Sequence, residues 1–383
     1  MAEQKALDIL SRLIGFDTTS RESNLHLIAW VEDYLHARGV ETRRVPNTEG
    51  TKANLHALIG PAVPGGVVLS GHTDVVPVDG QPWTSDPWVL VAREGKLYGR
   101  GTADMKSFIA LALAEVDRAL AAPLKRPLIL AFSYDEEIGC FGAPSLIADI
   151  AALYPKPAAV IVGEPTSMHV ISGHKGVATF LVTVEGREAH SSQPHRGVSA
   201  NAEALKLMQL VLQMAEEASA KAAKNSPFDP PAATMTIGRI EGGTAGNIIA
   251  RRCHFLWDLR WLPEEDPAPY IARFREAAAK LDAEIKARAP EGGVTFVQRS
   301  NTPPLATRES DAEMLARALT GDNQMRVASY AAEAGLFQRG DFPVVLCGPG
   351  SIDQAHQPDE WIAEDQIALG ARFMRELTDK LCV

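Results

Sequence analysis

Apolar residues in the first 175 positions alternate between helical and strand-like spacing. Two amphipathic helices are predicted over 4–15 and 22–38, where apolar side chains recur every three or four residues. Helices predicted over 104–121 and 142–152 separate continuous apolar runs, which are typical of strands buried on both faces. These runs cover 54–59, 67–70, 128–133 and 159–162. The pattern predicts an α/β fold with a mostly parallel central sheet and helices on both sides.

A different pattern begins near residue 177. Strands are predicted over 177–184, 233–240, 254–261 and 294–298, and helices over 198–217 and 268–288. This β-α-β-β-α-β order is the ferredoxin-like α+β arrangement. Helices over 308–319 and 364–381 and a buried strand over 343–347 follow it. We therefore expect an α/β domain formed by 1–176 and 299–383, interrupted by a small inserted domain over 177–298.

Composition and charge narrow the class of protein. The 383 residues are 46% hydrophobic and 22% charged, which is ordinary for a folded globular chain. The formal net charge is −10 and no Lys/Arg cluster offers a basic face, so we expect no nucleic-acid partner. The longest apolar stretches, such as 108–114 and 127–132, are too short to span a bilayer, so we expect no membrane association.

The first residues and the cysteines indicate the compartment. Charged residues occupy positions 3 and 5, where a signal peptide would lead into an apolar core. The four cysteines, Cys140, Cys253, Cys347 and Cys382, are widely scattered and form no CxxC pair. We therefore expect a cytoplasmic protein without a disulfide scaffold or a zinc finger.

Histidine and carboxylate side chains follow the predicted strands. His72 and Asp74 come directly after the strand over 67–70, at the carboxyl end where open α/β sheets bind ligands. Positions two apart in an extended chain point to the same side, so Asp74 can hydrogen-bond the His72 imidazole and raise its basicity as a metal ligand. The alternative is a capped loop with a surface histidine.

Asp104 follows a Gly-Arg-Gly turn and opens a predicted helix. An aspartate at this position commonly caps the first amide groups of the helix, so capping and metal binding are both open for it.

Three consecutive acids, Asp135, Glu136 and Glu137, stand at the end of the strand over 128–133. Like charges at the end of a buried strand repel one another unless a cation is present. One carboxylate can then bind the metal while a neighbour acts as a general base, and the alternative is a solvated acidic turn. Cys140 lies nearby as a soft ligand, although the oxygen-rich surroundings favour a packing role for it.

Two further segments complete the set. Glu164 ends the strand over 159–162, and His356 lies in a loop rich in Gly and Pro after the strand over 343–347. Imidazole and carboxylate in similar number suit Zn²⁺, with Co²⁺ or Mn²⁺ as substitutes. The ligands are too many for one tetrahedral zinc. We therefore predict two ions about 3.5–4 Å apart, an arrangement that suits amide hydrolysis.

The same segments carry a family resemblance. From Gly71-His-Thr-Asp to Gln354-Ala-His-Gln-Pro, they match in order and over essentially the whole chain. They resemble the dinuclear-zinc amidohydrolase family that includes acetylornithine deacetylase, succinyl-diaminopimelate desuccinylase, aminoacylase and carboxypeptidase G. The resemblance implies a zinc-hydrolase catalytic domain interrupted by a ferredoxin-like domain that serves as lid and dimerisation surface.

The resemblance also implies roles for the strand-end residues. It makes His72 and Glu164 the ligands of one zinc ion, His356 and Glu137 the ligands of the other, and Asp104 the bridge between the two ions.

Two other acids receive supporting roles from the resemblance. Asp74 orients His72, and Glu136 is the general base that deprotonates the attacking water.

The inserted domain carries its own matches to the family. His190, in Gly186-Arg-Glu-Ala-His-Ser-Ser192, resembles a histidine that reaches the partner subunit's active site and stabilises an oxyanion. Asn247 and Arg260 resemble residues that bind the substrate carboxylate, a role that suits the planar guanidinium group. The alternatives are a surface histidine in a turn and an inward-pointing structural arginine. The resemblance further implies a homodimer formed through this domain.

Two loops point to one branch of the family. Ser133-Tyr-Asp-Glu-Glu-Ile-Gly-Cys140 and Val76-Pro-Val-Asp-Gly-Gln-Pro-Trp83 are similar to those of acetylornithine deacetylases. The resemblance thus implies hydrolysis of the N-acetyl amide of N²-acetyl-L-ornithine, a step of arginine biosynthesis. The alternative substrates are succinyl-diaminopimelate, other N-acyl amino acids and dipeptides. A noncatalytic binding protein is disfavoured because every expected ligand is present, and a serine hydrolase because no G-x-S-x-G motif occurs.

Overall fold

The computed structural model describes residues 2–222 and 225–383 and divides the chain into two units. The larger unit contains the residues up to Gly173, together with Leu305–Val327 and Ala332–Val383. The smaller unit contains His174–Pro304 and Ala328–Ala331. The predicted inserted domain, 177–298, falls within the smaller unit. The short segment Ala328–Ala331, expected in the last part of the catalytic domain, also groups with the smaller unit.

The predicted helices and strands occur in the predicted order, together with short elements that were not predicted. The helices are α1 (Ala2–Ile14), α2 (Leu25–His36), α3 (Lys106–Ala121), α4 (Ala143–Leu153), α5 (Ala200–Ala220), α6 (Ala268–Lys286), α7 (Asp311–Thr320), α8 (Ala334–Arg339) and α9 (Glu364–Leu381). The strands are β1 (Thr42–Pro46), β2 (Ala53–Ile59), β3 (Val67–His72), β4 (Val91–Arg93), β5 (Lys96–Tyr98), β6 (Leu128–Ser133), β7 (Ala159–Val162), β8 (Gly173–His174), β9 (Gly176–Glu185), β10 (Thr234–Gly242), β11 (Arg252–Trp261), β12 (Gly293–Thr302), β13 (Val327–Ala328), β14 (Val344–Leu346) and β15 (Trp361–Ala363).

A six-stranded sheet in the order β1-β2-β6-β3-β7-β14 forms the centre of the larger unit. Strands β6, β3, β7 and β14 are parallel neighbours, whereas β1 and β2 run antiparallel at one edge. The prediction of a mostly parallel central sheet is therefore confirmed.

Both faces of this sheet are covered, which explains the continuous apolar runs. Leu69, Leu130 and Ile161 point into a core that also contains the buried residues of α1, α2, α3, α7 and α9. Their sequence neighbours point to the other face, where α4 contacts β2 and β6 and α8 contacts β14. Strands buried on both faces have no polar side, so alternation is lost and only the apolar run remains.

The smaller unit is an antiparallel sheet in the order β10-β11-β9-β12. Alternate residues of β9 and β11 are buried against α5 and α6, and the Phe180 ring stacks on Trp257 with 4.5 Å between ring centroids. The elements follow one another as β9-α5-β10-β11-α6-β12, which is the ferredoxin-like order that the sequence predicts.

Several short elements lacked a sequence signal. Strand β1 is a polar edge strand, and β4, β5 and β15 have three residues each, too few to establish a period.

Among the described residues, no helix combines the length and the apolar character needed to cross a membrane.

Candidate functional site

The carboxyl ends of the parallel strands bring the predicted ligands together. His72 is the last residue of β3 and lies opposite Ser133, the last residue of β6. The acids that follow Ser133 therefore emerge beside the His72 imidazole. Glu164 follows the end of β7, which is the neighbour of β3 on its other side. The edge of the sheet thus collects side chains from distant parts of the sequence.

His72 is oriented by the backbone of Asp74. The Nδ1 atom of His72 lies 2.9 Å from the carbonyl oxygen of Asp74, whereas the carboxylate Oδ1 of Asp74 is 3.7 Å away. The predicted contact between Asp74 and the His72 imidazole is present, but the backbone carbonyl of Asp74 lies closer to the ring than its carboxylate does. A proton on Nδ1 leaves Nε2 as the ligand atom, and Nε2 lies 3.0 Å from Oδ1 of Asp104.

The carboxylate of Asp74 is occupied elsewhere. It accepts hydrogen bonds from the Ser20 hydroxyl (2.7 Å) and from the backbone N–H groups of Glu136 (3.0 Å) and Glu137 (3.3 Å). Asp74 therefore fixes the turn that presents the two glutamates.

Asp104 lies between two histidines. Its Oδ1 is 3.0 Å from Nε2 of His72, and its Oδ2 is 3.3 Å from Nε2 of His356. His356 Nε2 also lies 3.0 Å from Oε2 of Glu137. The alternative that Asp104 caps a helix is wrong, because α3 begins at Lys106 with Met105 at the N-cap position and without a side-chain cap bond.

The three consecutive acids separate in the structure. Asp135 turns away and forms an ion pair with Lys52 at 2.5 Å. Glu136 and Glu137 each have a carboxylate oxygen within 4.8 Å of a ring nitrogen of His72, so the alternative of a solvated acidic turn is wrong for them. Cys140 is buried, and its thiol lies 3.4 Å from Oε1 of Glu136.

The donor set fits metal ions. Ligand atoms of His72, Glu136 and Glu164 lie within 4.8 Å of one another, and so do those of His72, Asp104 and Glu137. Oε1 of Glu137 and Oε1 of Glu164 are buried and accept no hydrogen bond in the described residues. Buried carboxylate oxygens are costly without a partner. A divalent cation would supply that partner, so the residues present fit a metal centre.

Burial also changes the acidity of the three glutamates. It raises the pKa of Glu136 to about 8 and that of Glu137 to about 7, and neighbouring carboxylates add to the effect in both. Burial, followed by the charges of Asp104 and Glu136, raises the pKa of Glu164 well above its usual range. The protein alone thus disfavours the accumulated negative charge, which cations would stabilise.

The opposite shifts occur around Asp104. Burial would raise the pKa of Asp104, but hydrogen bonds from His356 and His72 outweigh it and hold this pKa well below its usual range. Asp104, with Glu137, raises the pKa of His356 to about 10. Asp104 is therefore the carboxylate that stays ionised most readily in the cluster.

His190, Asn247 and Arg260 belong to the smaller unit. The exposed His190 has Nδ1 2.7 Å from the Ser192 hydroxyl, and the carbonyl of Asn247 accepts the Ser191 N–H at 2.9 Å. His190 and Asn247 thus lie on neighbouring segments.

Arg260 lies on β11, on the face opposite the buried residues of that strand. Its Nε donates to Asp258 at 3.1 Å. Arg260 therefore does not point into the core of the smaller unit.

Two buried acids support the site although the sequence predicted no role for either. Glu333 accepts hydrogen bonds from Ser70 within β3 (2.5 Å) and from Ser133 at the end of β6 (2.8 Å). Glu360 contacts the loop that precedes Asp104. The sequence shows both as ordinary glutamates near glycines or prolines, and only their burial distinguishes them.

The chain is similar to known proteins over most of its length. The family model described as peptidase family M20/M25/M40 matches residues 68–380. The chain is 36% identical to the acetylornithine deacetylase of Proteus mirabilis (strain HI4320) over 378 residues, which covers 96% of this chain and 92% of that protein. It is also 36% identical to the acetylornithine deacetylase of Photorhabdus laumondii subsp. laumondii over 377 residues, covering 96% and 93% of the two chains.

A solved structure shows the same fold at lower identity. The M20 family metallo-carboxypeptidase Sso-CP2 from Sulfolobus solfataricus matches with a TM-score of 0.77 and 18% sequence identity, over 99% of both chains. At this identity the likeness supports the fold alone.

Proposed function

The chain belongs to peptidase family M20/M25/M40, and we propose that it hydrolyses N²-acetyl-L-ornithine to L-ornithine and acetate. It is a metal-dependent amidohydrolase by family and by relatives at 36% identity. Those relatives are acetylornithine deacetylases and match nearly the whole chain, which supports the N-acetyl amide as the bond that is broken.

One observation carries the chemistry. The two oxygens of Asp104 face two different histidines, His72 and His356, and each histidine has its own glutamate close by. A carboxylate placed between two imidazole–carboxylate pairs is the donor arrangement of a dinuclear centre.

We assign the ligands accordingly. His72 and Glu164 would hold one Zn²⁺, His356 and Glu137 the other, and Asp104 would contact both, giving two ions per subunit for which Co²⁺ can substitute. When bound, the ions supply Lewis-acid polarisation of the amide carbonyl and a lowered pKa for water.

Glu136 is the proposed general base. Its backbone N–H is fixed by Asp74, and its carboxylate lies within the ligand cluster. Glu136 accepts one proton from the attacking water and delivers it to the amide nitrogen as the C–N bond breaks, so that acetate and the free amine leave. Asp74 is a positioning residue that holds His72 through its carbonyl and Glu136 through its carboxylate.

Three residues of the smaller unit are proposed to act on the substrate. We assign oxyanion stabilisation to His190 and binding of the substrate carboxylate to Asn247 and Arg260. The exposure of His190 and Asn247 supports these roles, because each side chain is accessible to a ligand.

We also propose a homodimer formed through the smaller unit, which acts as a lid. Leu205 and Leu212 on α5 are 56% and 53% exposed and lie two helical turns apart, so they share one face. Ile240 on the edge strand β10 is 57% exposed. Exposed apolar side chains on a helix face and on an edge strand suit protein–protein contacts. The scattered cysteines support a cytoplasmic location.

Hydrolysis assays with two substrates test the proposed function. Protein reconstituted with zinc or cobalt is given N²-acetyl-L-ornithine or N-succinyl-LL-diaminopimelate, and the released amine is measured. We expect a preference for acetylornithine by several orders of magnitude in kcat/KM. Preference for the succinyl compound, or turnover of neither, would overturn the substrate assignment.

The base is tested separately with Glu136→Gln. This variant should lose about 10²–10⁴-fold in kcat while keeping its metal content, because only the proton acceptor is removed. Activity within tenfold of the wild type would refute the role of Glu136.

A further inference from the structure

A buried carboxylate outside the ligand cluster fixes the loop that carries Asp104. Glu360 is 1% exposed. Its Oε1 accepts the backbone N–H groups of Ala103 (2.8 Å) and Asp104 (3.1 Å). Its Oε2 accepts the Gly101 N–H (3.0 Å) and the Arg100 guanidinium group (2.6 Å). Four donors from one loop therefore converge on one carboxylate.

Strand pairing brings Glu360 to this loop. Trp361 in β15 lies opposite Tyr98 in β5. The carbonyl of Glu360 accepts the Gly99 N–H at 3.0 Å. Because Glu360 directly precedes the pairing position, its main chain and its side chain both bind the segment that leads to Asp104.

Arg100 extends the network to His356. Arg100 Nη2 donates to Oε1 of Gln81 at 2.6 Å, and Nε2 of Gln81 donates to the carbonyl of His356 at 2.9 Å. His356 has a φ of 63°, a left-handed conformation that is strained for a residue with a side chain. Its side chain is also 48% exposed, so packing alone restrains it little. Gln81 supplies part of the missing restraint.

We propose that Glu360 is a positioning residue that fixes the positions of Asp104 and His356 relative to each other. It thereby determines how tightly the protein binds the metal ion that His356 and Glu137 would hold. This inference rests on the proposed metal centre. A buried Arg–carboxylate pair often stabilises a fold no better than apolar residues of the same volume. Fixing a loop that bears a ligand gives the pair a function that apolar residues could not replace. Groups that orient metal ligands commonly change metal affinity 10- to 100-fold when they are removed.

Three variants of the full-length chain separate this role from a purely structural one. Glu360→Gln keeps the volume and removes the charge, and Gln81→Met removes the hydrogen bond to His356. Glu115→Gln is the matched control, because Glu115 is also buried but lies on α3, where its nearest cation is Arg118 at 3.3 Å. Each protein is loaded with Co²⁺ and titrated with a competing chelator, and the visible absorption reports the bound ions. Thermal unfolding is measured in parallel.

We expect the wild type and Glu115→Gln to hold two ions with the same affinities. Glu360→Gln should bind the ion that His356 and Glu137 would hold about 10- to 100-fold more weakly, and the other ion should be weakened less, although Asp104 would contact both. Gln81→Met, which acts on His356 alone, should weaken only the ion at His356. Activity of Glu360→Gln should fall at low Co²⁺ and recover when Co²⁺ is added, with KM unchanged.

Affinities of Glu360→Gln within about twofold of the wild type would overturn the proposal, whatever happens to the unfolding temperature. If Glu360→Gln does not fold, unchanged affinities in Gln81→Met would overturn it instead. A wild-type protein that holds fewer than two ions would overturn the dinuclear centre itself and, with it, this inference.

Discussion

Gly163 follows the last residue of β7, at a position where the surrounding core leaves no room for a side chain. It directly precedes Glu164, and a Cβ built at this position would lie 2.0 Å from Cγ of Phe108 and 2.2 Å and 2.3 Å from Cδ1 and Cδ2. Real Cβ atoms essentially never approach other atoms closer than 3.0 Å. Phe108 is 1% exposed and belongs to the main core, so its ring cannot turn out into solvent. Gly163→Ala must therefore displace either the core ring or the strand end that carries Glu164.

Overpacking of a core by one methyl group typically costs about 1–3 kcal/mol. One kcal/mol shifts the unfolding midpoint of a domain of 150–250 residues by about 2–4 °C. We therefore expect Gly163→Ala to lower the thermal midpoint by roughly 2–12 °C. The displacement of Glu164 should also weaken metal binding.

Thermal unfolding of the wild type and of four variants, including Gly163→Ala, checks this reasoning. Gly15→Ala is the control, because a Cβ there meets its nearest atom at an ordinary 3.4 Å and the expected change is within about 0.5 kcal/mol. Phe108→Ala alone leaves a cavity, but combined with Gly163→Ala it also removes the clash. The double variant should therefore be less destabilised than the sum of the single ones. A Gly163→Ala protein as stable as the wild type, or strictly additive effects, would refute the steric argument.

Three further predictions follow from the structure. Removal of bound metal with a chelator should abolish hydrolysis, and added Zn²⁺ or Co²⁺ should restore it. Metal removal should also lower the thermal unfolding midpoint, because only the folded chain offers the binding site. Activity that survives chelation would contradict the metal centre. Phe180→Ala should destabilise the smaller unit by about 3–5 kcal/mol in urea unfolding, since this ring stacks between Trp257 and Phe296. Burial lowers the pKa of His56 below 6.5 in the folded protein, despite the contact of His56 with Asp149. The contribution of the neutral imidazole to stability is therefore complete above pH 6.5 and is lost as the pH falls towards the folded-state pKa. The free energy of unfolding should fall less steeply with decreasing pH in His56→Gln than in the wild type. An unchanged slope would contradict the lowered pKa of His56.

Apolar periodicity was sufficient for the elements that face a core. The predicted strands over 128–133 and 159–162 and the predicted helix over 364–381 have the same bounds in the structure. The exposed edge strand β1 and the six-residue helix α8 were missed, because their few buried side chains leave no period to detect.

The partners of the site residues were less predictable than their positions. Asp104 could have capped a helix, and only the packed structure directs its two oxygens to His72 and His356. Asp135 and Glu136 are sequence neighbours with the same chemistry, yet Lys52 binds one and the ligand cluster contains the other. Such choices depend on which loops meet, and local sequence carries little information about that.

By itself, the sequence determined that histidines and carboxylates follow strands buried on both faces, and thus that they meet at one edge of a parallel sheet. This conclusion needs only the period of the apolar residues and the direction of the strands. The tertiary structure alone decided that Asp74 holds His72 through its carbonyl and that Glu360 lies buried beneath the loop of Asp104, 256 positions away along the chain. A contact across that separation exists because β15 pairs with β5, and a three-residue strand leaves no pattern in the sequence from which its partner can be inferred.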